Sequence, residues 1–174
     1  MLLVLLLQPV GYAVGETPSE YQIKAGFLYN FAKFTDWGTS VGGLRDSNFF
    51  LCIIGKDPFG PALGAIEGKV VYGQRLKVKV SVPLDELRGC HMLYVSDSEE
   101  RHLPSILKAL KNLPVLTVSD IEGFVDAGGM VGLVLADNRI LFDINLSAVN
   151  AANLKISSQL LRLARSVSGG KDRS

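Results

Sequence analysis

The sequence predicts an α/β fold with a mainly parallel central sheet, helices on both faces of that sheet, and additional hairpin strands. Three short apolar runs, each bounded by polar or turn residues, indicate buried core strands: Asn48–Ile54, His91–Val95 and Val115–Val118. Helical patterns separate these runs, and strands that alternate with helices favour a parallel sheet. Of the 174 residues, 48% are apolar and 20% charged, which suits one domain with a packed core.

The N-terminal end is predicted to be a secretory signal at residues 1–13, extending at most to residue 15. An apolar run, Leu2–Leu7, precedes small residues up to Ala13, and this order is typical of a signal and its cleavage site. The run is shorter than the roughly 20 apolar residues that span a bilayer. No Lys or Arg precedes the run, and the alternative interpretation is a buried N-terminal helix.

The folded domain is predicted to span residues 19–167, with a flexible tail at 168–174. Its first element is a helix, because Ser19 and Gln22 have the spacing of a capping box. The following stretch, Tyr21–Trp37, is rich in aromatic residues and has a wide apolar arc. We therefore expect this helix to be mostly buried, and a Gly- and Ser-rich loop to follow it.

The segment between the first two core strands is predicted to hold a helix and a hairpin. Asp57 suits a helix cap and Pro58 the first helical position, so a helix is expected to run to about Ile66. Residues 70–80 predict a hairpin around Gly73–Gln74. Its second strand alternates apolar residues with lysines, which is typical of an edge strand.

Two later helices are predicted from their start signals. Ser96 and Glu99 repeat the capping-box spacing, and Ser119 begins a polar stretch that suits the cap of a short helix. That second helix is expected to end at the small residues Ala127–Gly129.

The C-terminal part is predicted to be a hairpin followed by one long helix. Two apolar runs, Met130–Ala136 and Arg139–Ile144, flank Asp137–Asn138, a pair that tolerates the positive φ of a tight two-residue turn. Apolar residues then recur at helical spacing over Leu146–Val167, with a polar stripe opposite. This pattern predicts an amphipathic helix of about six turns.

The two cysteines, Cys52 and Cys90, suggest a disulfide, because an even count in an exported chain favours a bridge. They can meet if the core strands that hold them are neighbours. Two separate buried thiols are the alternative. A zinc site that adds His91 and His102 is disfavoured, because Cys90 and His91 are adjacent and point to opposite sides of an extended chain.

Composition and motifs exclude several functions. The net charge is +1 and the basic residues are scattered, so no basic face for nucleic acid is predicted. The chain has no GxSxG motif, no paired-histidine metal motif and no GxGxxG after a strand. These observations predict an exported α/β domain that is not an enzyme and needs no cofactor.

Seven blocks of the sequence, in one order, resemble the YfiR family of periplasmic proteins. The blocks are FLYNFAKFTDW (27–37), GKDPFG (55–60), Cys90–His91, VLTVSD (115–120), GGM (128–130), FDIN (142–145) and LKISSQLLRLA (154–164). The resemblance spans about residues 19–167.

The resemblance implies a regulatory role in the periplasm. YfiR-like proteins repress a membrane-anchored diguanylate cyclase, YfiN, by binding its periplasmic sensory domain, and an outer-membrane lipoprotein, YfiB, can sequester the repressor. The resemblance therefore implies an inner-membrane partner (a YfiN-like cyclase or a histidine kinase), a YfiB-like lipoprotein and a homodimer. Cys52 and Cys90 match a bridge position of the family. The best-known member has a second cysteine pair towards its C-terminal half, and this chain has none there.

Two locations are predicted for a functional site. For partner binding, the apolar residues Phe142 and Ile144 of the hairpin are candidates, with a core position as the alternative. If the protein is instead a small-ligand sensor or carrier, the pocket is expected near Gly55, Ser96 and Ser119, at the carboxyl ends of the core strands.

Overall fold

The computed structural model of the protein describes residues 18–38 and 48–170. The signal predicted at residues 1–13 lies outside these ranges, as do most of the loop after the first helix and the end of the predicted tail. The described residues include the predicted domain, 19–167, apart from that loop.

Within the described residues, a large sheet has eight strands and a small one has two. The strands are β1 Thr35–Asp36, β2 Asn48–Ile54, β3 Val70–Val71, β4 Gln74–Lys79, β5 Met92–Val95, β6 Leu116–Ser119, β7 Val131–Ala136, β8 Arg139–Asn145, β9 Lys155–Ile156 and β10 Ser166–Ser168. The order across the large sheet is β10-β8-β7-β6-β5-β2-β4-β3. Its central strands β4, β2, β5, β6 and β7 are parallel, and β8 pairs antiparallel with β7. The predicted α/β class with a mainly parallel sheet is confirmed.

The large sheet separates two hydrophobic clusters. In β2, Phe49, Leu51 and Ile53 belong to one cluster, whereas Cys52 and Ile54 belong to the other. This division follows from the two-residue period of a strand. Because both faces are buried, the central strands are continuous apolar runs in the sequence.

Helices cover both faces of the sheet, as predicted. Helix α1 (Glu20–Lys33) packs on the first cluster through Leu28 and Phe31. Helix α2 (Leu103–Ala109) packs on the second cluster through residues that include Ile106. Short 3-10 helices complete the connections, at Gly60–Ala65, Leu84–Gly89 and Asp97–His102.

The predicted helix caps have different outcomes. The capping box of Ser19 and Gln22 forms, with both reciprocal hydrogen bonds present. Ser96 makes no cap bond, and a 3-10 helix follows it instead of an α-helix. The buried Ser119 hydroxyl donates to the carbonyl of Val95 and accepts from the N–H two residues on, so turns follow it. These side chains bond locally at strand ends, which competes with helix formation.

The prediction of a helix from Asp57 to about Ile66 is wrong, because only a short 3-10 helix forms in this segment. The Asp57 carboxylate accepts a hydrogen bond from the N–H of Phe59 at 2.8 Å, which forms a turn that a side chain closes. Gly60 then has a positive φ of 51°, a conformation outside the right-handed helix. The segment forms only a short 3-10 helix, Gly60–Ala65.

The long helix predicted over Leu146–Val167 is wrong. The structure has two short helices, α3 (Leu146–Ala151) and α4 (Ser158–Leu163), with β9 between them and β10 after them. Asn153 adopts a left-handed φ of 57° that ends the first helical segment, and Ser157 caps the second. The apolar spacing reflects burial of separate segments rather than one continuous helix.

Both predicted hairpins form. Asp137 and Asn138 have φ values of 49° and 58°, so they make the predicted two-residue turn between β7 and β8. In the first hairpin, the turn residues are Tyr72 and Gly73, one position earlier than predicted.

Candidate functional site

A groove of about 300 Å³ lies between α1, β8 and α4. Aromatic and aliphatic side chains dominate its lining: Phe27, Asn30, Phe34, Ile140, Leu141, Phe142, Gln159, Leu160 and Leu163. The rings of Phe27 and Phe31 pack edge-on against Phe142, with centroids 5.7 and 5.1 Å apart. Three elements that are distant in sequence therefore create one apolar concavity.

The two residues predicted for partner contact, Phe142 and Ile144, lie in the core. Phe142 is 3% exposed and Ile144 is 1% exposed, because alternate residues of β8 face α1. Phe142 is part of the groove lining, whereas Ile144 is not. Neither side chain is accessible to a partner on the surface. The accessible surface in this region is the groove that Phe142 lines.

Leu163 is the most exposed apolar residue of the groove lining. The sequence does not indicate this exposure. The predicted long helix places it among buried apolar positions, yet α4 ends at Leu163 and leaves its side chain 73% exposed. The polar residues Asn30 and Gln159 also line the groove. No local signal indicates these neighbours, because they depend on how α1 packs relative to α4.

The cysteines form the predicted bridge. Cys52 of β2 is joined to Cys90, just before β5, with the Cα atoms 5.9 Å apart. The two strands are parallel neighbours, and both side chains are buried in the second hydrophobic cluster. The bridge links this pair of strands covalently. Neither cysteine then has a thiol available as a ligand for the alternative zinc site.

The three residues predicted near a ligand pocket at the strand ends do not line one cavity together in the described residues. Ser96 and Ser119 are fully buried. Gly55 lines a separate cavity of about 390 Å³. A Cβ on Gly55 would lie 2.5 Å from the Oγ of Ser98, so polar side chains already fill the space beside this turn.

A buried ion pair also lies at the carboxyl ends of the strands, where Asp120 follows β6. Lys24 of α1 is 3% exposed, and its ammonium donates to the Oδ2 of Asp120 at 2.6 Å and contacts Glu20. Burial by itself would lower the pKa of Lys24, but the hydrogen bonds to the two carboxylates raise it above its usual value. For the nearby Tyr94 phenol, burial has the opposite effect and raises the pKa, because it disfavours the charged phenolate. The contact between Lys24 and Asp120 holds α1 on the sheet. Because both pKa values are raised, Lys24 stays charged and Tyr94 stays neutral near neutral pH.

A second ion pair fastens the last strand. Asp143 accepts from Nε of Arg165 at 2.9 Å and from the Ser166 hydroxyl at 2.7 Å. The hydrogen bond from Arg165 is the main reason that the pKa of Asp143 is lowered. This cluster connects β8 to the start of β10.

The fold and the groove define a small α/β domain with an apolar surface concavity. A conserved domain protein from Vibrio cholerae O1 biovar El Tor has a similar fold, with a TM-score of 0.54 at 9% identity over 86% of this chain. A Streptococcus pneumoniae ABC domain in complex with L-Trp has a TM-score of 0.48 at 9% identity over 69% of the chain. The present chain covers 60% and 55% of those two chains.

The chain belongs to the YfiR/HmsC-like family, whose sequence model matches residues 21–165. The family consists of periplasmic regulators of cyclic di-GMP signalling, and its role is regulatory rather than catalytic. Among the described residues, no helix is long and apolar enough to cross a bilayer.

Proposed function

We propose that this protein binds the periplasmic part of a membrane-anchored diguanylate cyclase of the YfiN type and holds the cyclase inactive. Cyclic di-GMP would then fall when the protein is free to bind. The observation that carries this proposal is the open groove between α1, β8 and α4, in a chain of a regulatory family. A histidine kinase is the alternative sensor partner.

The groove has the features of a protein contact site. Its rings are held rigidly by ring-on-ring packing, and Leu163 stands exposed at its edge. Preorganised aromatic and aliphatic side chains with accessible apolar surface are typical of binding hot spots. A side chain inserted from the partner would be desolvated against Phe27 and Phe34. We further propose that a YfiB-like lipoprotein competes for the free protein and that the protein acts as a homodimer.

The proposal is tested in cells that express a YfiN-type cyclase, with cyclic di-GMP as the readout. Wild-type protein exported to the periplasm should lower cyclic di-GMP, and Leu163→Asp should fail to lower it, since a carboxylate would be desolvated in the contact. Leu84→Asp is the matched control, because Leu84 is also exposed (45%) but lies outside the groove lining. Unchanged cyclic di-GMP with wild-type protein would refute the proposal.

A small apolar ligand is the second candidate occupant of the groove. The volume of the groove, about 300 Å³, lies at the lower end of the range for small-molecule sites. A thermal-shift screen of purified protein against metabolites separates the two functions. A rise of several degrees with one compound, in the absence of any protein partner, would favour a ligand sensor.

A further inference from the structure

Strand β7 continues past the end of its neighbour β6. The ladder between them stops at the pair Ser119–Gly132, whereas β7 runs on to Ala136 in its ladder with β8. No strand in the described part of the chain pairs with β7 on the β6 side beyond Gly132. This stretch, Leu133–Ala136, is the open edge of β7.

The register shows which backbone groups face that opening. The N–H of Asn145 donates to the carbonyl of Met130 at 2.8 Å. Because bonded and non-bonded pairs alternate in an antiparallel ladder, Val134 and Ala136 bond to β8. Leu135 therefore directs its N–H and carbonyl away from β8, towards the side where β6 has ended, and its side chain is 56% exposed.

A cavity of about 450 Å³ lies beside the open edge. The turn after β6, the strand β7 and the Asp143–Arg165 pair surround it: Asp120, Ile121, Glu122, Gly123, Phe124, Val125, Asp126, Gly132, Leu133, Val134, Leu135, Asp143 and Arg165. The concavity gives side chains of an added segment a place to lie next to the edge.

The charge around this cavity is negative. The carboxylates of Asp120 and Asp143 are paired with Lys24 and Arg165. The exposed carboxylates of Glu122 and Asp126, by contrast, make no ion pair within the described ranges 18–38 and 48–170. An occupant that carries Lys or Arg would complement them.

We propose that the open edge of β7 binds an extended, basic segment of a protein partner by strand addition. Backbone hydrogen bonds to Leu135 would supply the pairing, and Glu122 and Asp126 would select positive side chains. The residues of the open edge include no lysine or proline to block pairing, devices that sheet edges commonly use. This inference rests on the proposed function, because it names a second surface for the same kind of partner.

The first test uses a synthetic peptide and needs no sensor protein. The probe is a peptide of about ten residues that alternates valine and threonine and carries a lysine near each end. Saturating peptide should slow amide exchange at Leu135 about tenfold or more. A peptide with glutamates in place of the lysines should bind about tenfold more weakly. Unchanged exchange at Leu135 with the basic peptide would overturn the proposal.

Two variants separate the backbone contact from the side chain. Leu135→Pro removes the free N–H but no bond to β8, so the fold should persist and peptide binding should be lost. Leu135→Ala keeps the N–H and should still bind. If Leu135→Pro unfolds, Glu122→Lys with Asp126→Lys provides the decisive measurement, since it should reverse the preference to the acidic peptide. An unaltered preference would contradict the proposal.

The sensor gives an independent readout. If the peptide adds to β7 but wild-type protein does not lower cyclic di-GMP, the proposed function fails while the edge site stands. If wild-type protein lowers cyclic di-GMP and the peptide gives no protection at Leu135, the edge site alone fails.

Discussion

The half of the large sheet that contains β5, β2, β4 and β3 (the closed end) and the half that contains β10, β8, β7 and β6 (the open end) differ in how completely they are closed. At the β4 end, the N–H of Val78 donates to the Glu67 carboxylate at 2.8 Å, and lysines alternate along the strand. The disulfide stabilises the adjoining strands β2 and β5. At the β7–β8 end, one face carries the apolar groove, and the open edge of β7 lies beside the acidic cavity. The first end is therefore built for stability, and the second has the features of a contact surface.

Removing the disulfide should have the largest effect, because it ties the closed end. Cys52→Ala with Cys90→Ala should lower the free energy of unfolding by about 4 kcal/mol, the chain-entropy value for a separation of 38 residues. Urea unfolding of the double variant against oxidised wild type measures this loss. A loss below about 1 kcal/mol would show that packing alone holds the closed end.

Lys24→Met should have the second largest effect, because Lys24 connects α1 to the turn at the end of β6. The variant would leave the Asp120 carboxylate without its buried partner, at a cost of about 3 kcal/mol. The double variant with Asp120→Asn should recover part of the loss, and chemical denaturation of all three variants gives the coupling. Equal losses in the single and double variants would indicate that Lys24 acts through packing only.

The ion pair at the open end should have the smallest effect. Since the pKa of Asp143 is lowered in the folded state, its contribution is present above the unfolded value of about 4 and is lost as pH falls through the folded pKa. Partly exposed ion pairs contribute about 1 kcal/mol or less. Unfolding of wild type and Asp143→Asn from pH 7 to pH 2 should therefore converge at the acid end. A constant difference would exclude the ionised carboxylate as the cause.

Features that depend on local chemistry could be predicted from the sequence. The capping box of Ser19, the turn of Asp137–Asn138 and the buried strands follow from side-chain preferences that act within a few residues. The disulfide of Cys52 and Cys90 is predicted from the even cysteine count, on the condition that their strands are neighbours, and the parallel pairing of β2 and β5 meets that condition.

Features that depend on long-range packing could not be predicted in the same way. The C-terminal segment has helical spacing, yet β9 pairs with β1 and β10 pairs with β8, and both pairings need partners that are distant in sequence. The groove depends on the same packing, which explains why the sequence indicates the region of Phe142 but not the exposed Leu163.

The most direct test of the proposed function is the affinity of the purified protein for the purified periplasmic domain of a YfiN-type cyclase, measured by isothermal titration calorimetry. We expect wild type and Leu84→Asp to bind equally, and Leu163→Asp to bind about 30-fold more weakly, as expected for loss of a hot-spot residue. Equal binding by all three proteins would contradict the groove as the contact site, and absence of binding by wild type would contradict the proposed function.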